Sequence, residues 1–385
     1  MRIAIIQETF HPIVSGSGKR VYEISRRLVK RGHEVYVYTT NQNGIHSELE
    51  TIDGINVRRI KVSNFITKDN FRIPNRVMTF VKNAFKLILK EYAFDVLEVS
   101  NSPLIPTYLS YIFRKKSYKI VNVTLHECWL NSWLKWFKNP FISIPCFYLE
   151  YISYYIPDSI ISVSHFTARK LTRYMPFLKD KITIIPNGIS SDVLKLYNGD
   201  INTREEYSII CISRLFTYKK ISDLIYAFRK LQLEYPKSSL YIVGTGPEYN
   251  KLINLCKSLN LNKVFFLGLM EYHTLVETLR SKYVMVLPSI REGFSIVTLE
   301  SMAVGTPVIA RNSNDSAIHE HITHGENGFL ANNIDEMVFY IKLLFENKKL
   351  WRYISLNAYN YAKKFSWDKV AIEYENTIER VLNGK

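Results

Sequence analysis

Residues 288–310 read PSIREGFSIVTLESMAVGTPVIA. The β-branched and apolar run Tyr283–Leu287 that leads into them is expected as a strand, Gly293 as a turn, and the segment after it as a helix. Gly305-Thr306-Pro307 then stops the helix and opens a second strand, Thr306–Ala310. Strands joined through a helix run parallel, and a parallel sheet is covered by helices on both faces. The turn after the first strand therefore belongs to the carboxyl edge of a sheet, where backbone amides and helix N-termini face a ligand.

The alternation extends in both directions. Tyr207–Ser213, Ser239–Val243 and Lys263–Leu267 read as further strands of that sheet, separated by helical segments. Upstream, Ile3–Ile6, Glu34–Thr39, Phe94–Val99, Ile120–Leu125, Ser159–Ser164 and Lys181–Ile185 repeat the pattern, with helical spacing such as Val21, Ile24 and Leu28 between them. The chain is thus expected to be α/β, with two Rossmann-like domains of mainly parallel sheet. Its 385 residues suit two cores. Pro186-Asn187-Gly188 and the polar stretch after it separate residues 1–188 from 207–364, with 189–206 expected as a linker and 365–385 as a closing segment.

Charge and cysteine usage narrow the partners. The formal net charge is +16, and residues 1–185 carry 27 Lys and Arg against 14 Asp and Glu, so the excess sits in the first half. A basic half points to an anionic partner, either nucleic acid or an acidic membrane surface. Cys128, Cys146, Cys211 and Cys256 are widely spaced and form no Cys-x-x-Cys pair, so they read as buried thiols of a reducing compartment. Met1–Gln7 is a short apolar strand without a cleavage signal, which favours a cytoplasmic protein over a secreted one. The weakly charged stretch Phe141–Val163 is interrupted by Pro145, Glu150, Pro157 and Asp158, leaving pieces shorter than the roughly 20 residues of a spanning helix. It reads as a core helix followed by a buried strand.

Candidate chemistry lies in the loops after the strands. The amides of Phe294, Ser295 and Ile296 are expected at a helix N-terminus, aimed at a phosphate or sugar oxygen. Glu300, further along that helix, could accept a pair of hydroxyl hydrogen bonds from a ribose. After Tyr207–Ser213 come Arg214 and Lys219, a planar fork and a point charge placed to converge on an anion. Val243-Gly244-Thr245-Gly246-Pro247-Glu248 is a glycine turn between strand and helix. No Asp-x-Asp spacing occurs, so no metal is expected on a diphosphate. His319, His321 and His324 flank Glu320, and a metal site there is the weaker reading.

The block Pro288-Ser289, Glu292-Gly293-Phe294, Glu300 and Gly305–Ala310, with Arg214 and Lys219 upstream, resembles glycosyltransferase family 4. The resemblance implies the GT-B fold, two facing Rossmann-like domains with an inter-domain cleft, and retaining transfer from a nucleotide-diphosphate sugar. It implies that Arg214 and Lys219 neutralise the departing diphosphate, that Glu292 lies at the transferred sugar, and that Glu300 holds the ribose. Gly244 and Gly246 would pass near the base. Where the family has a glycine after the lysine, this chain has Lys220, and where it has two adjacent glycines, this chain has Gly16-Ser17-Gly18. Gly16 and Ser17 would bring backbone near the donor phosphates, and His126, after Ile120–Leu125, matches the family histidine that positions the sugar. Residues 365–385 resemble the closing helix that crosses back onto the first domain. A cation about 4 Å from the growing diphosphate charge contributes roughly 4 kcal/mol at an effective dielectric near 20. Positive side chains can thus do what a metal does elsewhere, and no cofactor is expected.

Trp129, Trp133, Trp136 and Phe137 share helical spacing, with Lys135 and Lys138 beside them, and Lys82, Lys86 and Lys90 recur every four residues. Both patterns suit an anionic membrane surface. The expected function is therefore hexosyl transfer to a glycan or lipid-linked acceptor by a cytoplasmic protein held peripherally at the inner face of the membrane. A nucleotide-sugar epimerase on the same fold is the alternative. A nucleic-acid binder leaves Arg214, Lys219, Glu292 and Glu300 at strand ends without a purpose.

Overall fold

The computed structural model describes residues 1–12, 15–41, 46–62, 73–91, 93–100, 104–136 and 139–384. They divide into two compact units, Met1–Asn187 with Trp367–Lys385, and Gly188–Ser366.

The first unit contains strands β1 (Arg2–Ile6), β2 (Glu34–Asn41), β3 (Leu49–Ile52), β4 (Ile55–Lys61), β5 (Phe94–Ser100), β6 (Tyr118–Leu125), β7 (Ser159–Ser162) and β8 (Ile182–Ile184). Their order is β3-β4-β2-β1-β5-β6-β7-β8, parallel throughout except for β3 against β4. Its helices up to Asn187 are α1 (Gly16–Lys30), α2 (Pro74–Glu91), α3 (Ile105–Ser117), α4 (Asn131–Trp136), α5 (Pro140–Ser153) and α6 (His165–Tyr174). The central strand β1 shows why its run is apolar on both sides. Ile3 and Ile5 face one core with Val21, Ile24 and Leu28 of α1, while Ala4 and Ile6 face another with Phe80, Ala84 and Ile88 of α2. Ser15 caps α1 by accepting from Gly18 N at 3.0 Å, an interaction whose loss costs about 1 kcal/mol. The β3–β4 hairpin was not among the expected strands. It turns at Asp53-Gly54, both at positive φ, the two-residue turn that joins tightly paired strands.

The second unit contains β9 (Glu205–Ile212), β10 (Ser239–Val243), β11 (Val264–Gly268), β12 (Lys282–Leu287), β13 (Val308–Arg311) and β14 (Phe329–Ala331), all parallel in the order β11-β10-β9-β12-β13-β14. Around them lie α7 (Ser191–Lys195), α8 (Ile221–Glu234), α9 (Tyr249–Ser258), α10 (Tyr272–Ser281), α11 (Ile296–Ala303), α12 (Ile334–Glu346) and α13 (Lys348–Ala362). The segment 189–206, expected as a linker, folds as part of this unit. Ile201 enters its core, and buried Arg204 donates to Thr306 Oγ1 at 2.8 Å and Val304 O at 2.6 Å.

Helix α14 (Trp367–Asn383) returns to the first unit, where Trp367, Val370, Tyr374 and Ile378 join the core on the α1 side. Glu375 fastens it, accepting from Arg31 and from His33 Nε2 at 2.6 Å. Burial opposes ionisation of Glu375, but these two bonds outweigh it and hold its carboxyl below the usual range. The four cysteines are free thiols; Cys128, Cys211 and Cys256 are buried and Cys146 is half-buried.

The expected core helix after Phe141 is also overturned: in α5 the buried residues are Ser143, Glu150 and Ser153, Phe147 and Tyr151 pack half-buried against the core of Leu130 and Tyr154, and the other large apolar side chains are exposed. No helix among the described residues is long and apolar enough to cross a membrane.

Candidate active site

At the carboxyl edge of the second sheet the chain leaves β9 through Ser213–Phe216 and enters a short 3-10 turn, Thr217–Lys219. Lys220 follows in the left-handed conformation, φ 52°, where a glycine would be the unstrained choice, and α8 begins at the next residue. This reversal turns Lys219 inward. Its Nζ donates to Glu292 Oε1 at 2.6 Å, and both side chains are about nine-tenths buried. Glu292 is fixed from behind as well, because its carbonyl accepts from Ala317 N at 2.8 Å. Ile290 N donates to Tyr218 O at 3.1 Å, so the loops after β9 and β12 are joined by backbone as well as by charge. Arg214 lies beside them, with its guanidinium over the Phe216 ring and Nη2 donating to Tyr218 OH at 3.3 Å.

The glycine turn after β10 has a packing reason. A Cβ on Gly244 would lie 2.0 Å from Ser213 O, and one on Gly246 would lie 2.5 Å from Leu215 O. Both residues have positive φ, 131° and 159°. Bare backbone there lets Leu215 N reach Thr245 O at 2.9 Å and Glu248 N reach Leu215 O at 3.0 Å, which holds the loop carrying Arg214.

The turn into α11 differs from expectation in one detail. The helix starts at Ile296 after Ser295 in the left-handed conformation, φ 72°, so the Phe294 and Ser295 amides precede it, and Ser295 Oγ pairs with Thr298 Oγ1 at 2.8 Å. The amides of Ile296 and Val297 open the helix without intrahelical acceptors, as first-turn amides do. The Phe294 side chain turns inward against His321, ring centroids 4.5 Å apart. Glu300, buried, stands in the second turn of α11. Arg214, Lys219 and Glu292 are therefore brought together, with the Gly244–Gly246 turn braced against them.

The remaining expected residues belong to the first unit. Gly16 and Ser17 open α1, and Ser17 Oγ accepts from Gln7 Nε2 at 3.1 Å, while Gln7 Oε1 accepts from Ser100 Oγ at 2.5 Å. His126 follows β6 and lines a cavity of about 20 Å³ with Arg20, Glu98, Thr124 and Tyr374, room enough for one water molecule. Burial and the nearby Arg20 charge push the His126 imidazole down to about 3, so it is neutral at pH 7. Sequence reasoning passed over this cluster. Glu98 accepts from Thr124 Oγ1 at 2.5 Å, from Tyr374 OH at 3.0 Å and from Asn122, and burial raises its carboxyl above the usual range. Arg20 donates to Pro186 O at 2.8 Å and Asn187 Oδ1 at 3.0 Å, and its Nη2 has no acceptor among the described residues. The available signal was a glutamate, an asparagine and a threonine inside otherwise apolar strands.

The aromatic segment after His126 also departs from expectation. Glu150 of α5, itself buried, accepts from Trp129 N at 2.8 Å, Leu130 N at 2.7 Å, Trp133 Nε1 at 2.6 Å and Tyr154 OH at 2.6 Å. Trp133 thus turns its indole N–H inward and packs on Trp129, centroids 5.0 Å apart. Phe137, Lys138 and the Trp136 side chain lie outside the described residues. Lys82, Lys86 and Lys90 form an exposed row on α2. His319, His321 and His324 do not converge: His319 Nε2 pairs with Ser313 O at 3.1 Å, His321 Nδ1 with Tyr361 OH at 3.3 Å, and His324 Nδ1 with Leu330 N at 3.1 Å.

Known proteins agree with this architecture. Residues 14–193 match the model of Glycosyltransferase Family 4, and residues 199–361 match that of Glycosyl transferases group 1. An uncharacterised glycosyltransferase of Methanocaldococcus jannaschii is 29% identical over 98% of this chain and 97% of its own. The alpha-monoglucosyldiacylglycerol synthase of Acholeplasma laidlawii is 24% identical over 93% and 92%. Among solved structures, the sucrose-phosphate synthase of Thermosynechococcus elongatus superposes with TM-score 0.84 at 19% identity, covering 100% of both chains. The Anabaena protein HepE, solved with UDP-glucose, gives TM-score 0.75 at 18% identity over 99% and 100%. Two parallel α/β units and these matches define a glycosyltransferase of the GT-B type. Within that class, the chain belongs to glycosyltransferase family 4.

Proposed function

We propose that the protein moves a hexosyl group, with retention of configuration and without a metal, from a nucleotide-diphosphate sugar to a glycan or lipid-linked acceptor. The observation that carries this reading is the buried Lys219–Glu292 pair, with Arg214 beside it, at a sheet edge where α11 also begins. Two cations there meet the charge that grows on the departing diphosphate, and preorganised groups of this kind typically contribute 100- to 1000-fold to turnover, on the order of 3–4 kcal/mol. In this reading the amides that lead into α11, from Phe294 to Ile296, hold phosphate or sugar oxygens, Glu300 accepts from the ribose hydroxyls, and Glu292 turns its second oxygen to the sugar. Gly244 and Gly246 border the base, and Gly16 and Ser17 approach the phosphates from their own unit. His126, kept neutral, serves as a hydrogen-bond partner for a sugar hydroxyl rather than as a base.

HepE, solved with UDP-glucose, and the relative named for a glucosylated diacylglycerol lend support to a nucleotide-sugar donor and a lipid acceptor. The exposed lysine row of α2 suits an acceptor presented at an anionic bilayer. The test is to incubate the protein with a panel of nucleotide sugars and membrane lipid extract, and to read the product's anomeric configuration by NMR, with and without EDTA. A retained configuration and EDTA-insensitive turnover are expected. Inversion, or activity that EDTA removes and magnesium restores, overturns the corresponding part, and a sugar altered with no acceptor present identifies an epimerase.

A further inference from the structure

Helix α5 is largely inverted: of its large apolar side chains, Phe147 and Tyr151 pack half-buried against the core of Leu130 and Tyr154, and the rest are exposed. Apart from Glu150 it carries no charged residue, and it buries Ser143, Glu150 and Ser153 while Phe141 is 89% exposed. Ile144, Tyr148, Leu149 and Ile152 are each about half exposed. A helix on a soluble surface normally shows the opposite pattern. The inversion is held in place by the four hydrogen bonds that Glu150 accepts, which pull the polar side toward α4. The apolar surface continues beyond the helix. Tyr155 packs on exposed Phe177, centroids 5.2 Å apart, and Tyr108 of α3 donates to Leu149 O, which places α3 with its exposed Tyr111 and Ile112 alongside. Contiguous exposed apolar surface of this extent marks a contact with something apolar.

The charges around it say what covers it. In the chain, exposed Arg173 precedes Phe177 and exposed Lys179 follows it beside exposed Asp180, and Lys82, Lys86 and Lys90 are exposed on α2, which packs against α3. A second copy would bring two such basic surfaces together, whereas an anionic bilayer offers an apolar interior beneath negative headgroups. At 14 residues and 1.5 Å per residue the helix is about 21 Å long, too short to span about 30 Å of hydrocarbon and suited to lie in the interface plane. We propose that the outward face of α5, extended by Tyr155 and Phe177, is the surface by which the protein inserts into an anionic lipid interface. Its purpose rests on the reading above that the acceptor is presented at a membrane. The insertion is assigned to α5 and not to the Trp129–Trp133 pair, which is engaged with Glu150.

The experiment uses the full chain and sedimentation with vesicles of pure phosphatidylcholine or of phosphatidylcholine with phosphatidylglycerol. The wild type is expected to bind the anionic vesicles, more weakly as salt rises. A Phe141→Ser/Ile144→Ser/Tyr148→Ser variant is expected to bind about tenfold or more weakly, with an unchanged melting temperature and an unchanged shift on adding nucleotide sugar. Absence of wild-type binding, or equal binding by the variant, overturns the proposal. So does a wild-type dimer in solution that the variant converts to monomer, since a second copy then covers the face. Vesicle binding without any nucleotide-sugar shift in either protein leaves this proposal standing and removes the reading of the donor site.

Discussion

Lys219 and Glu292, 73 positions apart in sequence, share a 2.6 Å hydrogen bond in a place where neither is well solvated. Losing one partner of such a pair leaves the other buried and uncompensated, at a cost on the order of 3 kcal/mol. Lys219→Met and Glu292→Gln are therefore each expected to lower the urea midpoint, and Lys219→Met to reduce transfer by about 100-fold or more. The double variant should regain much of the stability and none of the turnover. Additive destabilisation in that cycle contradicts the pairing.

Glu300→Ala should act on donor binding instead. Two hydroxyl hydrogen bonds to a carboxylate contribute about 1.5–3 kcal/mol each, so their loss is expected to raise the donor's KM at least tenfold. The nucleotide sugar's thermal shift should shrink with it. An unaltered KM excludes Glu300 from the ribose.

Gly244→Ala places a methyl 2.0 Å from Ser213 O on a backbone at φ 131°. The conformation alone costs about 1–3 kcal/mol, and relief of the clash must move the loop that carries Arg214. Lower stability together with lower turnover is expected from unfolding curves and assays on the same preparation. Gly325→Ala, with nothing near its Cβ, supplies the comparison in which strain acts without collision.

Acid should destabilise the second unit through His321. Burial among Phe294, Tyr361 and Phe365 pushes its imidazole down to about 4 from an ordinary 6.5. Between those values the unfolded chain takes up a proton that the folded chain refuses, so stability is full above about pH 6.5 and declines as pH falls toward 4. His126, pushed down to about 3, acts with the same sign, whereas Glu98, raised by burial, acts with the opposite one. His321→Phe should lose less stability than the wild type between pH 7 and pH 5, measured by urea midpoints. Parallel profiles in the two proteins contradict the assignment.

Much of the fold was legible because buried parallel strands are short, β-branched and separated by helices of regular period. β10 fell where expected, and the other central strands did so to within two residues or so at each end. What escaped depended on tertiary partners. β3 and β4 carry charges such as Arg58 and Arg59 that obscure alternation, although Asp53-Gly54 announced their turn. The sequence pattern of α5 matches that of an interior helix, and only the hydrogen bonds to Glu150 reveal which side faces in. Within the candidate site, motif spacing pointed to Arg214, Lys219 and Glu292, but the bond between the last two is a matter of three-dimensional closure. The Glu98–Asn122–Thr124–Tyr374 cluster draws on three separate segments, and no local pattern joins them.

The placement of α14 bears on how the molecule is made. The second unit is continuous from Gly188 to Ser366 and holds all of its own core, whereas the first needs Trp367, Val370, Tyr374 and Ile378 to close its α1 side. During synthesis the earlier-made half must wait, with that side uncovered, until a helix translated after the whole of the other unit has left the ribosome. The order of emergence and the order of completion are therefore reversed.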